Sequence, residues 1–184
     1  MTKLRERQMS PRVVLIGLPG SGKSTTGRRL AKMLGVDFAD SDELIEDAAG
    51  RSIREIFDTD GEAAFRALEA ETIATALHDF GGVLALGGGA LDTETTRTAV
   101  ARSGLPVVRL DAAIGTLAAR VGDAHTRPLL AGDPAARLRE LAESRKATYE
   151  AAATLTVPTD NRAPGQVASR IAASLKQRKE TAST

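Results

Sequence analysis

Eight consecutive residues, Gly17-Leu18-Pro19-Gly20-Ser21-Gly22-Lys23-Ser24, constrain this chain more than any other feature. They fit the spacing Gly-x-x-x-x-Gly-Lys-Ser/Thr and stand between a strand-like run and a helix-like one, the context that gives this spacing its meaning. Residues 12–17 are a short β-branched and leucine stretch bounded by Pro11 and the glycines, the pattern of a strand buried on both faces. From about residue 22 to 34, Leu30, Ala31, Met33 and Leu34 form an apolar stripe, Arg28, Arg29 and Lys32 face away from it, and Gly35 follows as a C-terminal cap. Between the two, glycine lets the backbone curl until successive N–H groups face one concavity, and the helix starting there adds the positive end of its dipole. Gly20, Ser21, Gly22, Lys23, Ser24 and Thr25 are the expected phosphate binders, with Lys23 a point charge on the β and γ phosphates and the Ser24 hydroxyl a ligand for Mg²⁺. The competing account, a glycine-rich turn with an exposed lysine, leaves the spacing unexplained.

The remaining apolar runs alternate with helical patterns. Strands are expected at about residues 36–39, 83–86, 106–110 and 155–157, and a long helix from about 62 to 80. Alternation of this kind implies parallel pairing with helices on both faces, so the expected fold is α/β, a three-layer P-loop NTPase with a central five-stranded parallel sheet. At 184 residues the chain suits one domain, with a core over about residues 11–176. Residues 122–134 hold glycine, proline, His125 and Arg127 with weak periodicity and are expected to form a mobile lid; the polar tail, residues 177–184, is expected to be disordered.

Composition removes several function classes. Lys and Arg number 25 against 24 Asp and Glu, which argues against a coat for nucleic acid. There is no cysteine, so thiolate metal sites, disulfides and thiol nucleophiles are excluded. No apolar run approaches the ~20 residues that cross a bilayer, and residues 1–8 are charged without a following signal-type apolar region. A cytoplasmic monomer without membrane partners is the expectation.

The chemistry beyond nucleotide binding needs an acceptor site. Asp40-Ser41-Asp42 ends the second strand, on the rim shared by all carboxyl ends of a parallel sheet, so both carboxylates can reach the γ-phosphate region; Ser41 or Asp42 also suits the N-cap of the helix that follows. Asp58-Thr59-Asp60-Gly61 reads as a helix-to-helix turn, and the third strand ends in Leu86 and three glycines with no acidic metal partner. Taken singly, Arg66 near Glu62 and Glu69, Arg127, and Arg145 beside Glu143 and Lys146 read as ordinary surface charges. His78 and His125 have no partner cluster.

Together and in this order the segments resemble shikimate kinases, small P-loop kinases related to nucleoside monophosphate kinases. The resemblance runs from about residue 12 to 171. It rests on Gly-Leu-Pro-Gly-Ser-Gly-Lys-Ser-Thr, Asp40-Ser41-Asp42, Gly50-Arg51-Ser52-Ile53 with Ile56-Phe57, Asp60-Gly61-Glu62 leading to Phe65-Arg66, Gly87-Gly88-Gly89, Arg127-Pro128-Leu129-Leu130, Arg145 four before Tyr149, and Asn161-Arg162-Ala163-Pro164-Gly165. It implies transfer of the γ-phosphoryl of ATP to the 3-hydroxyl of shikimate, giving ADP and 3-phosphoshikimate. It also implies Asp42 on the shikimate hydroxyls, Arg66 and Arg145 on its carboxylate, Gly88 and Gly89 on the ring substituents, and Ile53, Phe57 and Phe65 as apolar contacts within an acceptor region of about residues 40–70. Arg120 and Arg162 match positions flanking the adenine, Asp40 joins Ser24 at Mg²⁺, and Lys23, Asp42 and Arg127 are the catalytic set. A sibling kinase for another small alcohol, such as gluconate, and a catalytically silent nucleotide-binding module are the alternatives.

Overall fold

The computed structural model describes residues 13–121 and 133–182. At its centre is β1, Val13–Ile16, four residues that are all buried. Side chains of a strand alternate between faces, and the packing divides them accordingly: Val13 and Leu15 enter one apolar cluster, Val14 and Ile16 the other. Around it lie β2 (Phe38–Asp40), β3 (Val83–Ala85), β4 (Val107–Asp111) and β5 (Leu155–Pro158). The order is β2-β3-β1-β4-β5, and every neighbouring pair is parallel.

Helices cover both faces. Leu30 and Ala31 of α1 (Lys23–Leu34) and Val167, Ala168, Ile171 and Leu175 of α7 (Pro164–Ala182) pack on the Val13 and Leu15 side. A Cβ on Gly27 would overlap the Phe38 ring, so this glycine is what lets α1 lie directly on β2. The opposite face receives the second half of α3 (Ile53–Asp79), α4 (Glu94–Ser103), α5 (Ile114–Val121) and α6 (Pro134–Ala152) through Ile73, Leu77, Val100, Leu117, Leu138 and Tyr149. A third apolar cluster, Ile45, Ile56 and Phe65 with Ile53, Phe57 and Leu68, joins α2 (Ser41–Ala49) to α3 on both sides of its residue 61.

The turn expected at residues 58–61 is a kink inside α3. Gly61 sits at φ 81 and ψ 173, a region open essentially to glycine alone, so two helices meet there without a loop. Two other expectations change. The second strand ends at Asp40, two residues after Phe38, because Asp40 passes directly from the strand into the cap of α2. The tail beyond residue 176 is not disordered up to Ala182: α7 continues past Leu175, its last buried residue, because Lys, Gln, Arg and Glu are good helix formers and each added residue closes one more backbone bond. Residues 1–12, 122–132 and 183–184 lie outside the described residues, and with them His125, Arg127 and nearly all of the expected lid. Among the described residues no helix is long and apolar enough to cross a membrane.

Candidate active site

Because all five strands run the same way, the segments leaving their carboxyl ends share one rim. The loop after β1 turns through Gly20 at φ 81 and Gly22 at φ 90, and Lys23 opens α1. The Lys23 ammonium folds back over the loop, donating to the Gly17 carbonyl at 2.9 Å and the Leu18 carbonyl at 3.3 Å. Ser21 is buried, and its Oγ has no hydrogen-bond partner among the described residues. A cleft of about 440 Å³ opens beside this loop, lined by residues 20–26 together with Arg120, Thr159 and Arg162. The expected phosphate binders and the two expected adenine-flanking arginines therefore line one space.

Arg120 reaches that cleft from the end of α5, donating to the Thr159 hydroxyl at 2.9 Å and the Thr159 carbonyl at 2.8 Å. Arg162 donates to the Pro158 carbonyl at 2.7 Å. Between them Asp160 accepts from the Thr116 hydroxyl at 2.6 Å and from the Ala113 N–H. The Thr116 bond is the main reason its carboxyl is held below the usual range. The loop after β5 is thereby tied to the start of α5, which fixes one wall of the cleft.

At the end of β2 the two oxygens of Asp40 do different work. One accepts from the Asp42 N–H at 3.1 Å, making Asp40 the N-cap of α2 in place of Ser41 or Asp42; the other accepts from the Ser24 hydroxyl at 2.8 Å. The carboxylate at the rim and the capping chemistry thus belong to one residue. Ser41 is fully buried and its hydroxyl accepts from the Gly87 N–H at 2.8 Å, which locks the end of β2 to the end of β3.

Beyond the phosphate loop lies the three-glycine turn that follows β3, residues 87–89, with side chains gathered around it. Asp42 faces it: a Cβ on Gly87 would overlap the Asp42 carboxylate. Burial, then Asp40 and Glu69, push the Asp42 carboxyl up to about 6, against a smaller opposing pull from Lys23. Arg66, on α3 just past the kink, donates to Glu69 at 2.8 Å and to the Gly89 carbonyl at 3.3 Å, with Glu62 at 3.5 Å. Arg145, on α6, is 8% exposed and donates from Nε and Nη2 to the two oxygens of Asp92 at 3.0 and 2.7 Å. A Cβ placed on Gly89 would lie 3.1 Å from an Arg66 nitrogen and 3.1 Å from an Arg145 nitrogen, so the two guanidinium groups converge on one point. The structure brings Asp42, Arg66 and Arg145 together around the turn that holds Gly88 and Gly89. Phe65 is buried with its ring 4.6 Å from Phe57, and Ile53 packs against the same cluster, so these three are core-forming residues of the wall.

The comparisons with known proteins bear on this geometry. The shikimate kinase family model matches residues 19–176. The chain belongs to the shikimate kinase family. A shikimate kinase of Salinispora tropica is 51% identical over 167 residues, covering 91% of this chain and 99% of that protein. One from Thermobifida fusca is 50% identical, covering 90% and 95%. The solved structure of a shikimate kinase from Acinetobacter baumannii in complex with shikimate superposes with a TM-score of 0.86 at 34% identity, covering 92% of this chain and 94% of that one. A gluconokinase from Sinorhizobium meliloti shares the fold, at a TM-score of 0.61 and 20% identity, covering 95% and 97%.

For a shikimate kinase, part of the framework of this site consists of residues to which the motifs assign no contact. Glu69 is fully buried against Arg66, and burial raises its carboxyl while the Arg66 bond opposes this. Tyr149, buried and pushed up to about 12 mainly by that burial, donates its hydroxyl to the Gly88 carbonyl at 2.7 Å and so pins the glycine turn. An arginine with a glutamate three residues on is a usable hint of the first contact. No local pattern marks Ser41 or Asp92.

Proposed function

We propose that the protein transfers the γ-phosphoryl of ATP to the 3-hydroxyl of shikimate. The observation carrying this reading is the convergence of Arg66 and Arg145 beside Asp42, one short step along the rim from the phosphate loop. A small polyhydroxylated ring bearing a carboxylate needs such a pair of guanidinium forks at one end and a carboxylate to accept from its hydroxyls at the other. Gluconate is also a polyhydroxylated carboxylate, but it is an open chain, and the fold it shares with its kinase is no argument for it.

ATP would lie with its phosphates in the N–H-lined loop of residues 20–25 and its adenine between Arg120 and Arg162, whose planes suit stacking. Lys23 then exchanges the Gly17 and Leu18 carbonyls for the β and γ phosphates, placing its charge where negative charge accumulates on the migrating group. A divalent cation fits the hard oxygen pair of Ser24 and Asp40, which already lie 2.8 Å apart. We take it to be Mg²⁺, which supplies charge neutralisation on the phosphate oxygens when bound. Asp42 orients the attacking hydroxyl and accepts its proton. In a loose transition state that proton leaves late, so a carboxylate with a pKa near 6 is base enough. Arg127 lies outside the described residues, and its part as a further positive centre rests on the Arg127-Pro128-Leu129-Leu130 resemblance. We also read the protein as a cytoplasmic monomer, in keeping with a near-neutral charge and, among the described residues, a single exposed large hydrophobic side chain, Met33.

The test is a coupled ADP-release assay with shikimate, gluconate or no acceptor. Rapid release with shikimate alone is expected; equal release without acceptor, or preference for gluconate, overturns the reading.

A further inference from the structure

Asp92 ends the 3-10 turn Ala90–Asp92 that follows the three glycines, and the mechanism above gives it no part. Its surroundings are specific. Both carboxylate oxygens engage the same edge of Arg145, Oδ1 with Nε at 3.0 Å and Oδ2 with Nη2 at 2.7 Å, a fork-to-fork pair. The turn that carries it is itself fixed, because Arg97 donates to the carbonyls of Leu91 at 2.8 Å and Asp92 at 2.9 Å. On the Arg145 side the guanidinium is nearly buried while Asp92 keeps 37% of its side chain exposed, so Arg145 is the inner partner of the pair.

A guanidinium has two edges that can grip a carboxylate, the side edge at Nε and the end edge carrying Nη1 and Nη2. Asp92 takes the side edge. The end edge is turned toward the glycines: a Cβ on Gly88 would lie 3.5 Å from Nη1 and one on Gly89 3.1 Å from Nη2, beside the nitrogens of Arg66. We infer that Asp92 is a positioning residue for the acceptor, holding the side edge of Arg145 so that the end edge stays presented to the substrate's carboxylate. Without it, a long arginine on α6 has several rotamers that turn away from the glycines, and the acceptor must fix the side chain at its own expense on binding. This rests on the reading that Arg145 meets the acceptor's carboxylate.

The test measures KM for shikimate and for its uncharged methyl ester, and KM for ATP, in the wild type, Asp92→Ala, Asp92→Asn, Arg145→Ala and the Asp92→Ala/Arg145→Ala double variant. Loss of an ordered charge-assisted contact is expected to raise the shikimate KM of Asp92→Ala about tenfold. Asp92→Asn, which keeps one acceptor oxygen, should fall between it and the wild type. KM for ATP and for the methyl ester should be unchanged, and in the Arg145→Ala background the second substitution should add nothing. A thermal melt of each variant separates lost folding from lost positioning, and Asp92→Asn preserves the shape of the turn if the alanine variant is unstable. An unchanged or lowered shikimate KM in Asp92→Ala, with Arg145→Ala still impaired, overturns this inference alone; a lowered value would make Asp92 a competitor for the guanidinium. If Arg145→Ala itself leaves KM unchanged, the acceptor reading fails first and takes this inference with it.

Discussion

The two halves of the rim are built in opposite ways. On the side proposed for the nucleotide, the groups on offer are those of one glycine-rich turn and its lysine, all within residues 17–25, and Lys23 bonds to the loop's own carbonyls. On the side proposed for the acceptor they are side chains that start far apart: Asp42 from α2, Arg66 from α3, Arg145 from α6, gathered around glycines from the end of β3. Each of those arginines arrives already paired, Arg66 with Glu69 and Arg145 with Asp92. A backbone cradle needs only the right turn, whereas a side-chain cradle needs partners that hold each long chain in one rotamer. Damage on the first side should therefore act on phosphoryl transfer as a whole, and damage on the second should separate acceptor affinity from ATP affinity.

Lys23→Met should lower turnover by on the order of 10³-fold or more in the coupled ADP-release assay, since it removes the fixed positive charge nearest the migrating group. Substantial residual turnover would show that Lys23 is not that charge. Asp42→Asn is expected to lower kcat by roughly 10²- to 10³-fold by removing the proton acceptor and orienting group. Arg66→Ala and Arg145→Ala should each raise the shikimate KM by roughly 10- to 100-fold while KM for ATP stays within about twofold. Equal effects on both substrates would erase the distinction between the two halves.

The pH behaviour sharpens the same contrast. With Asp42 pushed up to about 6, kcat/KM for shikimate should lose activity on the acid side with a limb near pH 6, because the protonated carboxyl no longer accepts. For stability the sign is the reverse. A carboxyl whose folded pKa lies above its unfolded value of 3.8 favours the folded state fully only below that value, and this contribution is lost as pH rises from there through about 6. Asp42→Asn should therefore be more stable than wild type at pH 7.5 by about 3 kcal/mol, with the gap closing toward pH 4, as read by denaturant melts. A variant less stable than wild type at pH 7.5 would mean that Asp42 is held by attraction and not merely tolerated. The smallest effect is expected from Gly89→Ala: its methyl group would press on the ends of both guanidiniums, which are flexible enough to yield, so the shikimate KM should rise a few-fold, about threefold to tenfold. No change would mean that the two forks do not meet where the substrate binds.

The same contrast explains what could be read without coordinates. The phosphate loop, both flanking elements and the Gly35 cap are contiguous, so hydrophobic period and glycine spacing sufficed. All five strands were legible because each is a short apolar run followed by a turn or helix signal, although β2 ends later than the apolar pattern, at a residue that is strand end and helix cap at once. The acceptor side was legible only through an ordered set of short matches. Arg145 by itself resembles a surface charge on a helix with Glu143 and Lys146, and only the packing of α6 against the glycine turn buries it. Ser41, holding Gly87, and Asp92, holding Arg145, contact residues 46 and 53 positions away. Nothing local encodes a contact of that range.

If ATP and shikimate meet end to end across the Ser24, Asp40 and Asp42 corner, as proposed, one named oxygen of the acceptor is phosphorylated. Phosphorus–proton correlation NMR of the product made from shikimate and ATP tests this without any variant. A single phosphoester coupled to the proton at carbon 3, formed in step with ADP, is expected. Phosphate on another hydroxyl, or inorganic phosphate in place of an ester, would contradict it.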